Sequence, residues 1–339
     1  MTDIYPYNTS SVRPRRGGIY EADLNMLLTS HFGSDVITIS SARVGLYLIQ
    51  KSLGFSRMDH ILIPDFFCRE VLYILNLHGF GVQEPNARTK AVVVLHQWGY
   101  PQRMDVVMNE AKKRKWVVIE DCVHTFGSTY RGKIVGSFGD AAIISFPKFF
   151  PTYVGGAIVS RRDDIISYAR VTLSKPHSAE HHSFDHMSVQ VGKSYYLLRK
   201  LPFVAPAVYI QSIHFPKIPT AALQRFPGTL ETFRLELAQR KNNFITLKQA
   251  AGAKYHPKQL DEDCDVVPMC VPMFFPEEKL IRVQRMLKEK NIVAEILHFD
   301  VNRNMLHPRY KKCLALPCHQ YITEKELSHM CDVIRRVGY

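Results

Sequence analysis

Apolar runs alternate with amphipathic segments along the first 160 residues. A helix is predicted over 21–32, and the apolar runs that follow are candidate strands: DVITIS (35–40), HILI (60–63), AVVVL (91–95), WVVIED (116–121) and AAIISF (141–146). The segments between them, such as SSARVGLYLIQKSLGF and RMDVVMNEAKKRK, place apolar residues at helical spacing. Alternation of this kind is typical of βαβ units. The pattern therefore predicts an α/β fold with a mostly parallel sheet covered on both faces.

The rest of the chain follows a different order. Residues 161–190 are polar and rich in histidine, which favours a mobile loop, and the amphipathic segment 229–250 predicts a long connecting helix. After it we predict strands at 266–275 and 292–297 and helices at 277–290 and 324–337, which together form a small α/β unit. We therefore predict a large domain over residues 1–230 and a smaller C-terminal domain over 231–339.

The composition is that of a globular protein with an unusual charge. The 339 residues are 46% hydrophobic and 22% charged, which argues against disorder, and they carry a formal net charge of +13. This excess favours an anionic partner, which could be nucleic acid, a membrane surface or a phosphorylated small molecule. Seven scattered cysteines lack metal-type spacing and predict free thiols in a reducing compartment.

No segment predicts export or membrane insertion. The N-terminal stretch has no apolar signal core, and no window approaches the roughly 20 apolar residues that span a bilayer. The nearest candidate, LPFVAPAVYI at 201–210, is short and interrupted by prolines, so we interpret it as a buried or interfacial segment. A cytoplasmic protein is predicted.

Chemically useful side chains follow the candidate strands. Phe66 and Phe67 come after the strand at 60–63, His96 ends the next strand and Asp121 the one after it. Because ligands bind outside the carboxyl ends of parallel strands, we expect these groups to face one crevice. Lys148 follows the strand AAIISF and precedes the pair Gly155-Gly156.

A candidate anion site lies at the start of the second helix. Ser40 and Ser41 precede that helix, where free N–H groups and the helix dipole favour phosphate, and Arg43 lies one turn in. Ser41 could equally serve only as the helix N-cap, and Arg43 could be solvated. The sequence contains neither a G-x-G-x-x-G turn after the first strand nor a G-x-x-x-x-G-K-[ST] loop, so a dinucleotide site or a P-loop is not supported.

A metal site is a weaker alternative. His182 and His186 are four residues apart and would share a helix face, but the surrounding proline, serine and mixed charge favour a loop. We predict no metal.

The candidate groups match the needs of pyridoxal phosphate. This cofactor requires a lysine, a carboxylate against its pyridinium nitrogen, donors at a helix N-terminus and flat groups against its ring. The chain offers Lys148, Asp121, the serines Ser40, Ser41 and Ser145, and the rings of Phe67 and His124. We therefore predict a pyridoxal phosphate site.

At this point the chain resembles the DegT/StrS family of sugar aminotransferases, which have the fold type I of pyridoxal phosphate enzymes. The resemblance covers residues 18–335 and is strongest over 90–160. The matching text is VVIEDCVHTFGSTYRGKIVGSFGDAAIISF, supported by ISSARVGLYL, LIPDFFCREV, VLHQWGYPQRMD, GGAIVS and LPCHQYIT.

The resemblance implies roles for individual residues. Asp121 would hold the pyridinium proton, and Lys148 would form the Schiff base and move a proton between the substrate and the cofactor. The remaining cofactor-binding residues would be Ser41, Ala42, Arg43, Phe67, His96, His124 and Ser145. The implied reaction is transamination of a nucleotide-linked keto sugar with glutamate or glutamine as donor, in polysaccharide or secondary-metabolite biosynthesis. A homodimer is implied, because such enzymes usually build each active site from two subunits.

The chain departs from the family pattern in four places. Lys148 follows Ser145 by three residues instead of five, Ser41-Ala42-Arg43 replaces Ser-Gly-Thr, and the stretch 81–90 is short. The Asn-Tyr-Arg motif that contacts substrate is not visible near 210–220. Two alternatives therefore stay open: a sugar dehydratase that uses the same cofactor, and a non-catalytic regulatory or scaffold protein that binds nucleic acid.

Overall fold

The computed structural model describes residues 18–175, 179–193 and 210–338. The strands are β1 (Asp35–Ile39), β2 (His60–Leu62), β3 (Phe80–Val82), β4 (Thr89–Leu95), β5 (Val117–Asp121), β6 (Thr129–Tyr130), β7 (Lys133–Ile134), β8 (Ala141–Ser145), β9 (Gly156–Ser160), β10 (Cys264–Asp265), β11 (Cys270–Met273), β12 (Glu295–Asp300) and β13 (Tyr310–Pro317). The helices are α1 (Glu21–Phe32), α2 (Ala42–Ser52), α3 (Arg69–Leu75), α4 (Met104–Arg114), α5 (Asp163–Ser174), α6 (Ala179–Lys193), α7 (Thr220–Leu223), α8 (Leu230–Tyr255), α9 (Glu277–Lys288) and α10 (Glu324–Gly338).

A seven-stranded sheet organises the first part of the chain. Its strand order is β1-β9-β8-β5-β4-β2-β3. The pairs among β8, β5, β4, β2 and β3 are parallel, whereas β9 runs antiparallel to both of its neighbours. The prediction of a mostly parallel sheet is confirmed, and the carboxyl ends of β4, β5 and β8 lie side by side.

Both faces of this sheet are covered, as the continuous apolar runs predict. Successive side chains of a strand point to opposite faces. Val92 and Val94 of β4 accordingly pack in one buried cluster, and Ala91 and Val93 in another. The same alternation sends the two carboxylates at the end of β5 to opposite faces.

The C-terminal part contains a second sheet and packs against the first part. Strands β11, β13 and β12 form an antiparallel sheet in that order. Strand β10 pairs with β6, and one buried cluster includes Phe126 and Phe146 together with Phe244 and Leu314. Contacts therefore cross residue 230. The division into two domains at this residue stays a prediction.

The loop predicted over 161–190 was wrong, because helices α5 and α6 lie in this stretch. In α6, Phe184 stacks on Phe215 with ring centroids 4.4 Å apart. This tertiary contact overrides the weak local helical signal. The strand predicted at 292–297 is present but begins three residues later, as β12 (Glu295–Asp300), because the N–H of Ile292 still closes the turn after α9 on Leu287 O (3.0 Å).

Some predictions fall on residues that the structure does not describe. His177, the N-terminal stretch 1–17 and residues 201–209 of the apolar segment lie outside the described residues. In the described part of the chain, no helix is both long and apolar enough to cross a bilayer. All seven cysteines are free thiols, as predicted.

Candidate active site

A cavity of about 690 Å³ opens at the carboxyl ends of the parallel strands. Leu95 of β4, Asp121 of β5 and Ser145 of β8 all line it. Ligand cavities of such sheets form at this edge because helices cover the two faces. The predicted site residues that line the cavity are Ser41, Ala42, Arg43, Phe67, Asp121, His124, Ser145 and Lys148.

His96 is the predicted residue that the structure places elsewhere. Its side chain is fully buried, and it is absent from the cavity lining. The backbone N–H of Gln102 donates to His96 Nδ1 (3.1 Å), so the ring proton lies on Nε2 and is donated to Glu120 Oε2 (3.1 Å). Both ring nitrogens are therefore used within the protein, and His96 is corrected from a cofactor contact to a structural residue.

Glu120 is also structural. Its Oε2 accepts from the N–H of Gly136 (2.8 Å), and its Oε1 accepts from the N–H groups of Phe138 (2.7 Å) and Gly139 (2.8 Å). With His96, four donors surround one buried carboxylate. A carboxylate so fully hydrogen-bonded stabilises the loop that leads to β8 and offers little to a ligand.

Three potential metal ligands lie on the same side of the sheet, and two of them belong to this hydrogen-bond network. The ligand atoms of His96, Glu120 and Cys122 lie within 4.8 Å of one another. Burial raises the pKa of the Cys122 thiol well above its usual range, so the thiol stays protonated. Because the imidazole and the carboxylate are already hydrogen-bonded, we interpret the cluster as structural.

Asp121 points to the other face and into the cavity. Among the described residues its Oδ1 accepts a single hydrogen bond, from the N–H of Val123 (3.1 Å). Burial raises the pKa of this carboxyl, while the Lys148 charge acts in the opposite direction. A buried acid with so few partners would be stabilised by a cation in the cavity.

Lys148 faces the same cavity despite its short spacing from Ser145. The N–H groups of Phe149 and Phe150 both bond to Phe146 O (2.9 Å), and these three phenylalanines are fully buried. They anchor a tight turn that presents Lys148. Burial lowers the pKa of its amine, opposed by the nearby Cys68 and Asp121. Within the described residues no hydrogen bond or ion pair holds Nζ.

The N-terminus of α2 forms one end of the cavity. Ser41 caps the helix by accepting from the N–H of Val44 (3.3 Å), so the capping interpretation holds. Ser40 is 7% exposed, and its Oγ has no hydrogen-bond partner among the described residues. A Cβ on Gly156 would lie 2.9 Å from the N atom of Ala42 and 2.3 Å from Ile144 O. Glycine is therefore required for β9 to approach this helix end.

Aromatic groups line the middle and the mouth of the cavity. The N–H of Trp98 donates to His124 Nδ1 (3.3 Å), and burial lowers the pKa of His124 well below its usual range, with Lys148 acting in the same direction. The ring is thus neutral and carries its proton on Nε2. Phe66 stacks on His298 of β12 with ring centroids 5.4 Å apart, and both rings line the cavity.

Several lining residues were missed from the sequence because they come from distant elements. Helix α6 contributes the side chains Phe184, Asp185, Ser188 and Val191, and the C-terminal part contributes Met269, Leu297 and His298. Burial raises the pKa of Asp185 to about 6, slightly offset by His182. The spacing of Phe184, Ser188 and Val191 was the one available signal, since it is that of a single helix face.

The architecture is that of fold type I pyridoxal phosphate enzymes. A putative sugar aminotransferase from Streptococcus pneumoniae, solved in its PMP form, superposes with a TM-score of 0.70. The match covers 97% of this chain and 94% of that chain at 16% identity. At this identity the likeness establishes the fold alone.

The sequence identifies the family. Residues 84–335 match the DegT/DnrJ/EryC1/StrS aminotransferase family, and the chain belongs to it. A GDP-perosamine synthase from Escherichia coli O157:H7 is 31% identical over 148 residues, which are 36% of this chain and 39% of that protein. A dTDP-3-amino-3,6-dideoxy-alpha-D-galactopyranose transaminase from Aneurinibacillus thermoaerophilus is 48% identical over 115 residues, 34% of this chain and 30% of that protein. The chain thus matches well under half the length of these two relatives.

Proposed function

We propose that this protein is a pyridoxal phosphate-dependent aminotransferase that acts on a nucleotide-linked keto sugar. The observation that carries the proposal is the convergence of Lys148 and Asp121 on one cavity that ends at the N-terminus of α2. The chain's family supports the same reaction class.

The residues of the cavity fit the cofactor. Ser40 Oγ, which has no partner among the described residues, and the N-terminal N–H groups of α2 suit a phosphate. Asp121 would hold the pyridinium nitrogen, Phe67 and His124 would contact the ring, and Ser145 and Arg43 would add phosphate contacts. His96 is not part of this set.

The side chains also suit the chemistry. When bound, pyridoxal phosphate acts as an electron sink for the reacting Cα of the substrate. Lys148 would move a proton between that carbon and the cofactor, and its lowered pKa increases the fraction of free amine near neutral pH. Asp121, buried beside it, would keep the ring nitrogen protonated. Neutral His124 would offer its Nε2–H as a donor.

The proposed substrates follow from charge and from the relatives. The net charge of +13 suits a sugar carried on a nucleotide diphosphate. The two relatives are named for GDP-linked and dTDP-linked sugars. We propose glutamate or glutamine as the amino donor, a role in polysaccharide or secondary-metabolite biosynthesis, a homodimer and a cytoplasmic location. A lysine at position 148 favours transamination over dehydration, because the resemblance implies histidine at this position in some relatives that dehydrate sugars.

The proposal is tested by trapping the cofactor. Purified protein is incubated with pyridoxal phosphate, reduced with borohydride, digested and analysed by mass spectrometry. We expect the reduced cofactor on the peptide that contains Lys148. Amino transfer from glutamate to nucleotide-linked keto sugars is then followed directly. Protein that gains neither a visible absorbance band nor a modified Lys148 would contradict the proposal.

A further inference from the structure

A buried arginine of the C-terminal part contacts the backbone of the proposed catalytic lysine. Arg240 lies on α8, 92 residues after Lys148, and its side chain is fully buried. Burying a guanidinium costs free energy unless each of its donors finds an acceptor. The acceptors of its guanidinium nitrogens therefore identify the segments that this side chain holds together.

One nitrogen of Arg240 holds the turn that carries the lysine. Arg240 Nη2 donates to Lys148 O (3.3 Å) and to Phe149 O (3.4 Å). The guanidinium carbon also lies 4.3 Å from the centroid of the Phe149 ring, a cation–π contact on the same turn.

The other nitrogens of Arg240 hold the C-terminal part. Arg240 Nη1 donates to Pro268 O (3.2 Å) and Met269 O (3.4 Å), and Met269 lines the cavity. The Nε group donates to Gln320 Oε1 (3.0 Å), and Gln320 Nε2 in turn donates to Phe149 O (2.6 Å). One side chain thus joins two walls of the cavity.

The position of the Lys148 amine depends on this clamp. In the described part of the chain nothing hydrogen-bonds Nζ, so its location follows from where the backbone of the turn lies and from its flexible four-carbon stem. We propose that Arg240 is the positioning residue for Lys148, which it keeps aimed at the cofactor by fixing the 148–149 carbonyls against the 268–269 segment. This inference rests on the proposed function.

The test compares two buried residues of the same helix. Arg240→Lys and Arg240→Gln remove the guanidinium and its paired hydrogen bonds to the 148–149 and 268–269 carbonyls. Asn243→Ala is the matched control. Asn243 is 1% exposed and donates to His319 O (2.9 Å), so it anchors the same C-terminal segment without contacting the turn. Each variant is compared for thermal unfolding, for its dissociation constant for pyridoxal phosphate and for the fraction of Lys148 modified after borohydride reduction.

The expected results separate positioning from stability. All three variants lose thermal stability. Well below their unfolding temperatures, the Arg240 variants weaken binding of pyridoxal phosphate by about tenfold or more and lose modification of Lys148, because neither side chain can replace the guanidinium that bridges the turn and the 268–269 segment. Asn243→Ala retains both. If the Arg240 variants bind and react as Asn243→Ala does, the inference is overturned.

Two further arms keep the result interpretable. If neither Arg240 variant folds, Gln320→Ala removes the Nε acceptor, one contact to Phe149 O and a hydrogen bond to Glu236 Oε2 (3.0 Å), while the Arg240 contacts to the 148–149 carbonyls remain. An intermediate loss of Lys148 modification is expected. An unchanged extent of modification in that variant would count against the clamp. If the wild-type protein itself is not modified at Lys148, the proposed function fails, an outcome distinct from failure of the clamp.

Discussion

Buried polar groups on the two faces of strand β5 differ in how completely they are hydrogen-bonded. On one face Glu120 is surrounded by four donors, and its partner His96 uses both ring nitrogens. On the other face, within the part of the chain that the structure describes, Asp121 accepts one hydrogen bond and Ser40 Oγ has no partner. Buried polar groups are normally paired, so the incomplete pairing of Asp121 and Ser40 at the cavity leaves acceptors there for a ligand.

The comparison explains why adjacent acids of one strand have different uses. Period-two alternation sends Glu120 toward the loop that leads to β8 and Asp121 toward the cavity. Completed hydrogen bonds stabilise the fold at the first position, whereas the second keeps free acceptor capacity for a cation. Substitutions on the two faces should therefore affect stability and activity in opposite proportions.

Lys148→Ala should have the largest effect. We expect amino transfer to fall by about a thousandfold or more, since the proton-transfer group is lost, with no loss of thermal stability because no hydrogen bond holds Nζ among the described residues. Turnover assays and thermal unfolding measure the two effects. Lys113→Ala, at a side chain that is 75% exposed, is the control. Full activity in the Lys148 variant would assign the reaction to another group.

Asp121→Asn and Glu120→Gln test the comparison directly. Glu120→Gln places an amide N–H₂ against backbone donors and should cost about 2–4 kcal/mol in the free energy of unfolding. Asp121→Asn should change that free energy by less than about 1 kcal/mol but lower activity by about 10²- to 10⁴-fold. Urea unfolding without cofactor and turnover of the folded protein separate the effects. Equal destabilisation by both variants would remove the distinction between the faces.

The sequence predicted the strand-end half of the cavity and missed the other half. Asp121 and Ser145 could be predicted because apolar strands end at them, and Lys148 because it closely follows such an end. Parallel strands end at one edge of a sheet, so these side chains were expected together. His96 was misassigned because a strand-end position alone does not reveal which neighbour its ring meets. Its partner Glu120 lies 24 residues away, on the adjacent strand.

The missed residues depend on long-range packing. Asp185 and Ser188 lie on α6, whose packing against Phe215 is a tertiary contact that no local pattern records. Arg240 could be predicted to lie on a helix, but its acceptors lie as far as 92 residues away along the chain. Local periodicity assigns an element and a face, and the identity of the partner requires the folded structure.

Asp185 should make stability depend on pH. Its pKa is raised by burial from 3.8 to about 6, so between these values the native state binds more protons than the unfolded chain. Its contribution therefore favours the native state at low pH and is lost as the pH rises through about 6. We expect Asp185→Asn to unfold at a higher temperature than wild type at pH 7.5, with the difference shrinking toward pH 4. A difference that does not change with pH would contradict this assignment.

The neighbouring serines at the start of α2 should show the smallest effects, and they differ in the same way as the two acids. Ser41 Oγ caps the helix, so Ser41→Ala should cost about 1 kcal/mol of stability without cofactor. Ser40 Oγ has no partner in the described part of the chain, so Ser40→Ala should leave stability unchanged or slightly higher. With pyridoxal phosphate present, Ser40→Ala should weaken binding by about three- to tenfold, the worth of one hydrogen bond. Calorimetric unfolding and cofactor titration of both variants measure this contrast. Loss of stability in Ser40→Ala without cofactor would indicate that its hydroxyl is already satisfied and not reserved for a phosphate.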